Sequence, residues 1–164
     1  MLRIVATVGY LGCIPFFGRL LASLAGLVTA ILVYRGTGAV QPLAAIWALV
    51  LVATIWALPR ALREDPDAKV TVIDRYAGIW LAAAPAIPLA DLLGSSFSAG
   101  AIIALATPVL LYTLLLSAPR HLFDRDTRPV LRLVDDLVAG ALAAIGTLAV
   151  MLALLRFLPE ALPT

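Results

Sequence analysis

The sequence predicts an all-α, polytopic integral membrane helical bundle, with about four to five membrane segments and an N-terminal segment broken by Gly and Pro. Of the 164 residues, 63% are hydrophobic and only 13% are charged, and the mean hydropathy is +1.05. Soluble chains carry about a quarter charged residues, so this composition excludes an ordinary soluble domain. The length suits one domain, and we assign residues 1–164 to a single membrane domain.

The N-terminal segment, residues 4–18, is apolar but contains Gly9, Gly12, Pro15 and Gly18. A regular membrane-spanning helix needs about 20 residues without such breaks. We therefore expect this segment to be interfacial or re-entrant.

Five further apolar segments follow. A charged loop at residues 60–69 comes after the second of them, and another at residues 119–136 comes after the fourth. The five segments are Leu20–Tyr34, Ala39–Pro59, Tyr76–Ala90, Ala99–Ala118 and Leu137–Leu155. The third carries Pro85 and Pro88 and meets Asp91. Proline removes a backbone donor and bends a helix, so we expect this segment to be kinked or frayed at its far end.

Basic residues are distributed very unevenly between the two sides that these segments define. One side holds ten of them: Arg3, Arg19, Arg60, Arg63, Lys69, Arg75, Arg120, Arg125, Arg128 and Arg132. The other side holds Arg35 and Arg156. The positive-inside rule then predicts a cytoplasmic N-terminus, with the candidate chemistry described next on the same face.

Two short stretches share the pattern Asp-x-x-Ala-Gly at the start of an apolar segment. One runs from Asp74 to Gly78, and the other from Asp136 to Gly140, with Asp135 directly before it. An acidic residue that opens an apolar span is a functional-site candidate, and a small residue one turn further allows a second helix to approach closely. The pattern predicts carboxylates that converge at a membrane surface, an arrangement that suits a divalent metal.

Simpler explanations exist for the same residues. Asp is a preferred N-cap, so Asp74 and Asp136 could each cap a helix. A cap needs only one carboxylate, however, and Asp135 stands beside Asp136. Many of the arginines are explained by the positive-inside bias and by anionic lipid headgroups.

Three stretches resemble motifs of the phosphatidylglycerophosphatase A family of bacterial inner membranes. They are Gly12-Cys13-Ile14-Pro15 with Ser23-Leu24, the run Val72–Leu81, and the run from Leu122-Phe123-Asp124 through Arg128-Pro129 to Asp135–Gly140. The resemblance implies a small helical membrane phosphatase that removes phosphate from phosphatidylglycerophosphate with Mg²⁺. It also implies the inner membrane as location, a phospholipid substrate and anionic lipids as partners, and no nucleic-acid partner.

The site residues follow from the resemblance together with the chemistry of phosphate hydrolysis. Asp74, Asp135 and Asp136 are the expected Mg²⁺ ligands, because magnesium is held by one or two carboxylates plus substrate oxygens and waters. Asp74, Asp124 and Asp136 are the expected catalytic residues, with Asp124 as a further ligand or a base. The phosphate is expected to bind Arg75, Arg128 and Arg132, since a guanidinium presents a planar fork of donors.

The chain departs from the family pattern at Arg75, which replaces the acid of the family's Asp-Glu pair, and in lacking a glycine-rich loop between Pro129 and Asp135. Arg75 could pair with Asp74, neutralise it and weaken metal binding, or it could turn onto the phosphate. We favour the first interpretation.

Three functions therefore compete. The first is the lipid-headgroup phosphatase. The second is a catalytically impaired relative that binds anionic lipid or scaffolds a lipid-synthesis complex. The third, a small transporter or channel subunit, is suggested by the broken third segment.

Overall fold

A computed structural model describes residues 2–14, 17–64, 72–92, 99–117 and 129–157. Every regular element in these ranges is helical. The seven α-helices are α1 (Leu2–Ala6), α2 (Gly18–Thr37), α3 (Val40–Glu64), α4 (Ile73–Ala83), α5 (Ala86–Leu92), α6 (Ala99–Ser117) and α7 (Pro129–Phe157), with a 3₁₀ turn at Leu11–Cys13. This architecture confirms the predicted all-α fold.

Within the described ranges, four helices are long and apolar enough to cross a membrane: α2, α3, α6 and α7. Their outer surfaces expose large aliphatic side chains such as Leu32, Leu49, Leu110 and Ile145, as expected where lipid takes the place of water. The chain is therefore a polytopic membrane protein.

The predicted third segment is divided in two. Its first part, α4, ends at Ala83, and α5 begins at Ala86 after a turn that contains Pro85. The expected bend is present, but it lies in the middle of the segment, and the far end is helical to Leu92. The break coincides with Pro85, which lacks the N–H that would continue the helix.

The divided segment lies at the centre of the bundle. Most of α4 is buried, and it packs against α2, α3, α6 and α7. On α2, Gly26 faces α4 so closely that an added Cβ would come within 2.5 Å of the Ile79 side chain. At the far end, Arg35 of α2 pairs with Asp91 of α5 at 3.6 Å. Helix α2 therefore contacts α4 near its middle and α5 near its end, and it runs in the same direction as both.

The described residues of the N-terminal segment form no crossing helix. They form α1, a left-handed turn at Val8, Gly9 and Tyr10, and the 3₁₀ turn. The Tyr10 N–H bonds the Thr7 hydroxyl at 3.0 Å, and the Val72 N–H bonds the Ala6 carbonyl at 3.0 Å. The second bond attaches this segment to the residue that precedes α4.

Two helices extend, at one end, five or more residues beyond the apolar segments predicted for them. Helix α3 continues through Pro59 to Glu64, into the predicted loop. Helix α7 begins at Pro129 and not after Asp136. Proline is well suited to the first helical position, because its missing N–H has no partner there.

Candidate functional site

The two Asp-x-x-Ala-Gly stretches pack directly against each other where α4 crosses α7. A Cβ added to Gly140 would collide with the Gly78 carbonyl oxygen, and one added to Gly78 would come within 2.7 Å of the Asp136 carbonyl oxygen. Only glycine leaves room for so close an approach. The predicted convergence of the two stretches is present in the structure.

The crossing joins Asp74 and Arg132 in an ion pair. Asp74 is the second residue of α4 and is fully buried, and its Oδ2 accepts a hydrogen bond from Nε of Arg132. Its Oδ1 accepts the backbone N–H of Arg75 at 3.0 Å. The Arg132 side chain is 27% exposed, so the carboxylate is enclosed while the guanidinium still reaches the surface.

This pair corrects the expectation for Arg75. Within the described residues, the ion-pair partner of Asp74 is Arg132, and Arg75 contacts Asp74 through its backbone. Neighbouring residues of a helix point in different directions. Arg132 instead comes from a second helix and reaches the carboxylate from across the crossing.

Asp136 lies within α7, and therefore does not cap it. It is 5% exposed and four residues after Arg132, so the two lie on the same face of the helix. The Asp136 carboxylate is within electrostatic range of Asp74, Arg75, Arg132 and Asp135. Asp135 is only partly buried. Acidic and basic groups from both helices thus gather around the start of α4.

Two further side chains complete the site without having been predicted. Tyr112 of α6 is fully buried and donates its hydroxyl to the Arg75 carbonyl at 3.3 Å. Trp47 of α3 donates Nε1 to the Ala77 carbonyl at 3.1 Å. One signal could have revealed Tyr112, because it is the only aromatic residue in α6.

Whether these residues fit Mg²⁺ depends on their number and their present partners. Among the described residues, no group of three or more His, Cys, Asp or Glu side chains is placed to hold a metal. Asp74 and Asp136 are nevertheless hard oxygen donors, and magnesium often uses only one or two protein carboxylates. The donor chemistry fits the ion, while both oxygens of Asp74 already accept hydrogen bonds from Arg132 and Arg75. The ligand set of Asp74, Asp135 and Asp136 remains a prediction.

Two of the predicted site residues, Asp124 and Arg128, lie outside the described residues. Their predicted roles as base or ligand and as phosphate contact therefore stay predictions. The described part of the site consists of the crossing, its ion pair, Asp136, the buried donor Tyr112 and the partly buried donor Trp47.

Fold and site together define a class: a polytopic helical membrane protein with carboxylates and guanidinium groups gathered at one helix crossing. Within that class, the family model for phosphatidylglycerophosphatase A matches residues 4–151. The chain belongs to this family, as the sequence motifs indicated. Neither the curated proteins nor the solved structures contain a match.

Proposed function

We propose that the protein is a membrane lipid-headgroup phosphatase that hydrolyses phosphatidylglycerophosphate to phosphatidylglycerol with the assistance of Mg²⁺. The observation that supports this proposal best is the crossing itself, which brings Asp74, Arg132 and Asp136 together in a chain of this family. In the proposed setting, the site faces the cytoplasm from a bacterial inner membrane.

In this reaction, water attacks the phosphorus atom, the bond from phosphorus to the glycerol oxygen breaks, and that oxygen takes up a proton. The Arg132 guanidinium binds the phosphate oxygens, because Asp74 holds it in a fixed orientation while its outer side remains accessible. Asp136 accepts the proton of the attacking water. Mg²⁺, when bound, would neutralise developing charge on the phosphoryl group, and Asp74, Asp135 and Asp136 would hold it.

A second candidate is favoured by the same ion pair. Arg132 already neutralises Asp74, and Arg75 stands where the family has an acid. On this alternative, the chain is a catalytically impaired relative that binds anionic lipids or scaffolds other membrane proteins.

The deciding experiment measures phosphate release from phosphatidylglycerophosphate in mixed micelles, with Mg²⁺ and with EDTA. The purified chain is compared with an Asp136→Asn variant and with an Asp91→Asn control, whose substitution lies at the opposite end of the bundle. The proposal expects Mg²⁺-dependent release that is lost in Asp136→Asn and kept in Asp91→Asn.

Full activity in Asp136→Asn would refute the proposed site. Absence of release from the parent chain, together with binding to vesicles that contain anionic lipid, would support the second candidate. Phosphatidic acid as a comparison substrate tests whether the glycerol headgroup is recognised.

A further inference from the structure

Tyr112 makes a contact that packing alone does not explain. Its ring fills the space between α4, α6 and α7, which phenylalanine would fill equally well. Its hydroxyl, however, bonds the carbonyl oxygen of Arg75, the residue next to Asp74. A hydroxyl buried in an apolar bundle is costly unless it has a partner, so its position in this span points to a specific use.

The acceptor does not need this hydrogen bond for its own satisfaction. In a regular α-helix, the carbonyl of residue 75 already accepts the N–H of Ile79. The Tyr112 hydroxyl is therefore a second donor to the same oxygen. What the bond adds is a restraint from α6 on the first turn of α4.

The surroundings of the hydroxyl leave it little room to move. A Cβ added to Gly78 would overlap the hydroxyl oxygen and would lie 2.9 Å from the Cζ of Tyr112, while the Asp136 backbone lies on the same side. The hydroxyl thus occupies the point where α4, α6 and α7 meet. Tyr112 is distant from Asp74 in sequence, yet the carbonyl that it bonds belongs to the residue directly after the acid.

We propose that Tyr112 is a positioning residue for the phosphatase site. Its hydroxyl fixes the first turn of α4, so that Asp74 holds Arg132 in the orientation that binds the substrate phosphate. This inference rests on the proposed function, but it concerns contacts that can also be tested in an inactive protein.

The test uses Tyr112→Phe, which removes only the hydroxyl. The matched control is Tyr34→Phe, a partly buried tyrosine of α2 that packs on the same core. A third variant replaces Tyr112 with 4-aminophenylalanine, which keeps a donor at the same place. Kinetics of phosphate release and thermal unfolding in detergent are measured for each, and for Tyr112→Phe combined with Asp74→Asn.

For Tyr112→Phe we expect kcat to fall about tenfold, because small misplacements of a reacting group are costly, while KM stays within about twofold. The unfolding temperature should fall only slightly more than that of Tyr34→Phe, because Tyr112→Phe also loses one buried hydrogen bond, and 4-aminophenylalanine should restore kcat. In the Asp74→Asn background, loss of the hydroxyl should have no further effect on kcat. An unchanged kcat, or a loss shared equally by Tyr34→Phe, would overturn the proposal.

If the parent chain releases no phosphate, the proposed function fails, and unfolding decides the positioning role separately. Tyr112→Phe should then shift the unfolding temperature less in the Asp74→Asn background than in the parent, because the two groups act through the same turn. Equal shifts in both backgrounds would refute the positioning role.

Discussion

Arg132, in the first turn of α7, donates Nε to Oδ2 of Asp74 in the first turn of α4. The acid is completely buried, while about a quarter of the Arg132 side chain is exposed. This ion pair therefore connects the enclosed part of the site with its accessible surface.

Replacing Arg132 should lower the stability of the fold more than replacing its partner Asp74. Arg132→Gln leaves a buried carboxylate without its cation, and we expect the free energy of unfolding to fall by about 3 kcal/mol. Asp74→Asn removes the buried charge itself and should cost less. Unfolding in mixed micelles of increasing SDS content, followed by circular dichroism, measures both.

The pair at the opposite end of the bundle provides the control. Arg35 and Asp91 are 3.6 Å apart and about half exposed, so Arg35→Gln should cost less than about 1 kcal/mol. Equal losses for Arg132→Gln and Arg35→Gln would show that burial does not set the strength of these two ion pairs.

The glycine contact at the helix crossing should tolerate no side chain. Gly140→Ala places a Cβ against the Gly78 carbonyl, a backbone atom that cannot turn aside. We expect α4 and α7 to separate, with loss of phosphatase activity and a lower unfolding temperature. Gly36→Ala in α2, where nothing lies within 4 Å of the added Cβ, should be neutral or slightly stabilising. If both variants behaved alike, close packing would not be the reason for Gly140.

Arg75→Glu should keep the described hydrogen bonds of Arg75 to Asp74 and Tyr112, because these use its backbone, but it replaces a cation near the buried Asp136 with an acid. The variant restores the acidic pair of the family and adds an oxygen donor beside Asp74. We expect a lower Mg²⁺ concentration for half-maximal phosphate release. Activity in the variant but not in the parent would identify the parent as a disabled relative, and unchanged metal dependence would argue against a role for residue 75 near the ion.

Trp47 should contribute more to the stability of the fold than its partial exposure suggests. Trp47→Phe removes the donor to the Ala77 carbonyl and should lower the free energy of unfolding by about 1 kcal/mol. Trp56→Phe on the same helix is the control: this ring is 48% exposed and stacks beneath Arg60 at 4.7 Å, an interaction that phenylalanine preserves. Comparable destabilisation by both substitutions would indicate lost ring volume and not the lost hydrogen bond.

The sequence predicted the structure best where a short pattern of residues by itself requires a particular packing. Asp followed by Ala-Gly one turn later predicted close helix packing beside an acid, and Gly78 meets Gly140 in this way. The prolines of the third segment also predicted a bend, although the bend lies at Pro85 in the middle and not at the far end. In contrast, the partner of Asp74 could not be chosen from the sequence, because Arg75 and Arg132 carry the same group and only the crossing of α4 with α7 selects between them.

The start of α7 was misplaced for a related reason. A run containing Arg132, Asp135 and Asp136 has the composition of a solvated loop, and nothing local shows that one of these charges is neutralised by another helix. Tyr112 was overlooked although it is the one aromatic residue of α6, because that fact does not identify its partner, a backbone atom 37 residues away in sequence.

The bend at Pro85 also bears on how the chain enters the bilayer during synthesis. It leaves the central segment as helices of 11 and 7 residues, each shorter than the roughly 20 residues of an independent span, and Asp74 adds a charge to the first of them. We therefore expect α4 and α5 to partition poorly from the translocon alone and to enter as a hairpin with the continuous helix α6. The central helix α4 would then be retained in the membrane only after α6, a later segment of the chain, has been synthesised.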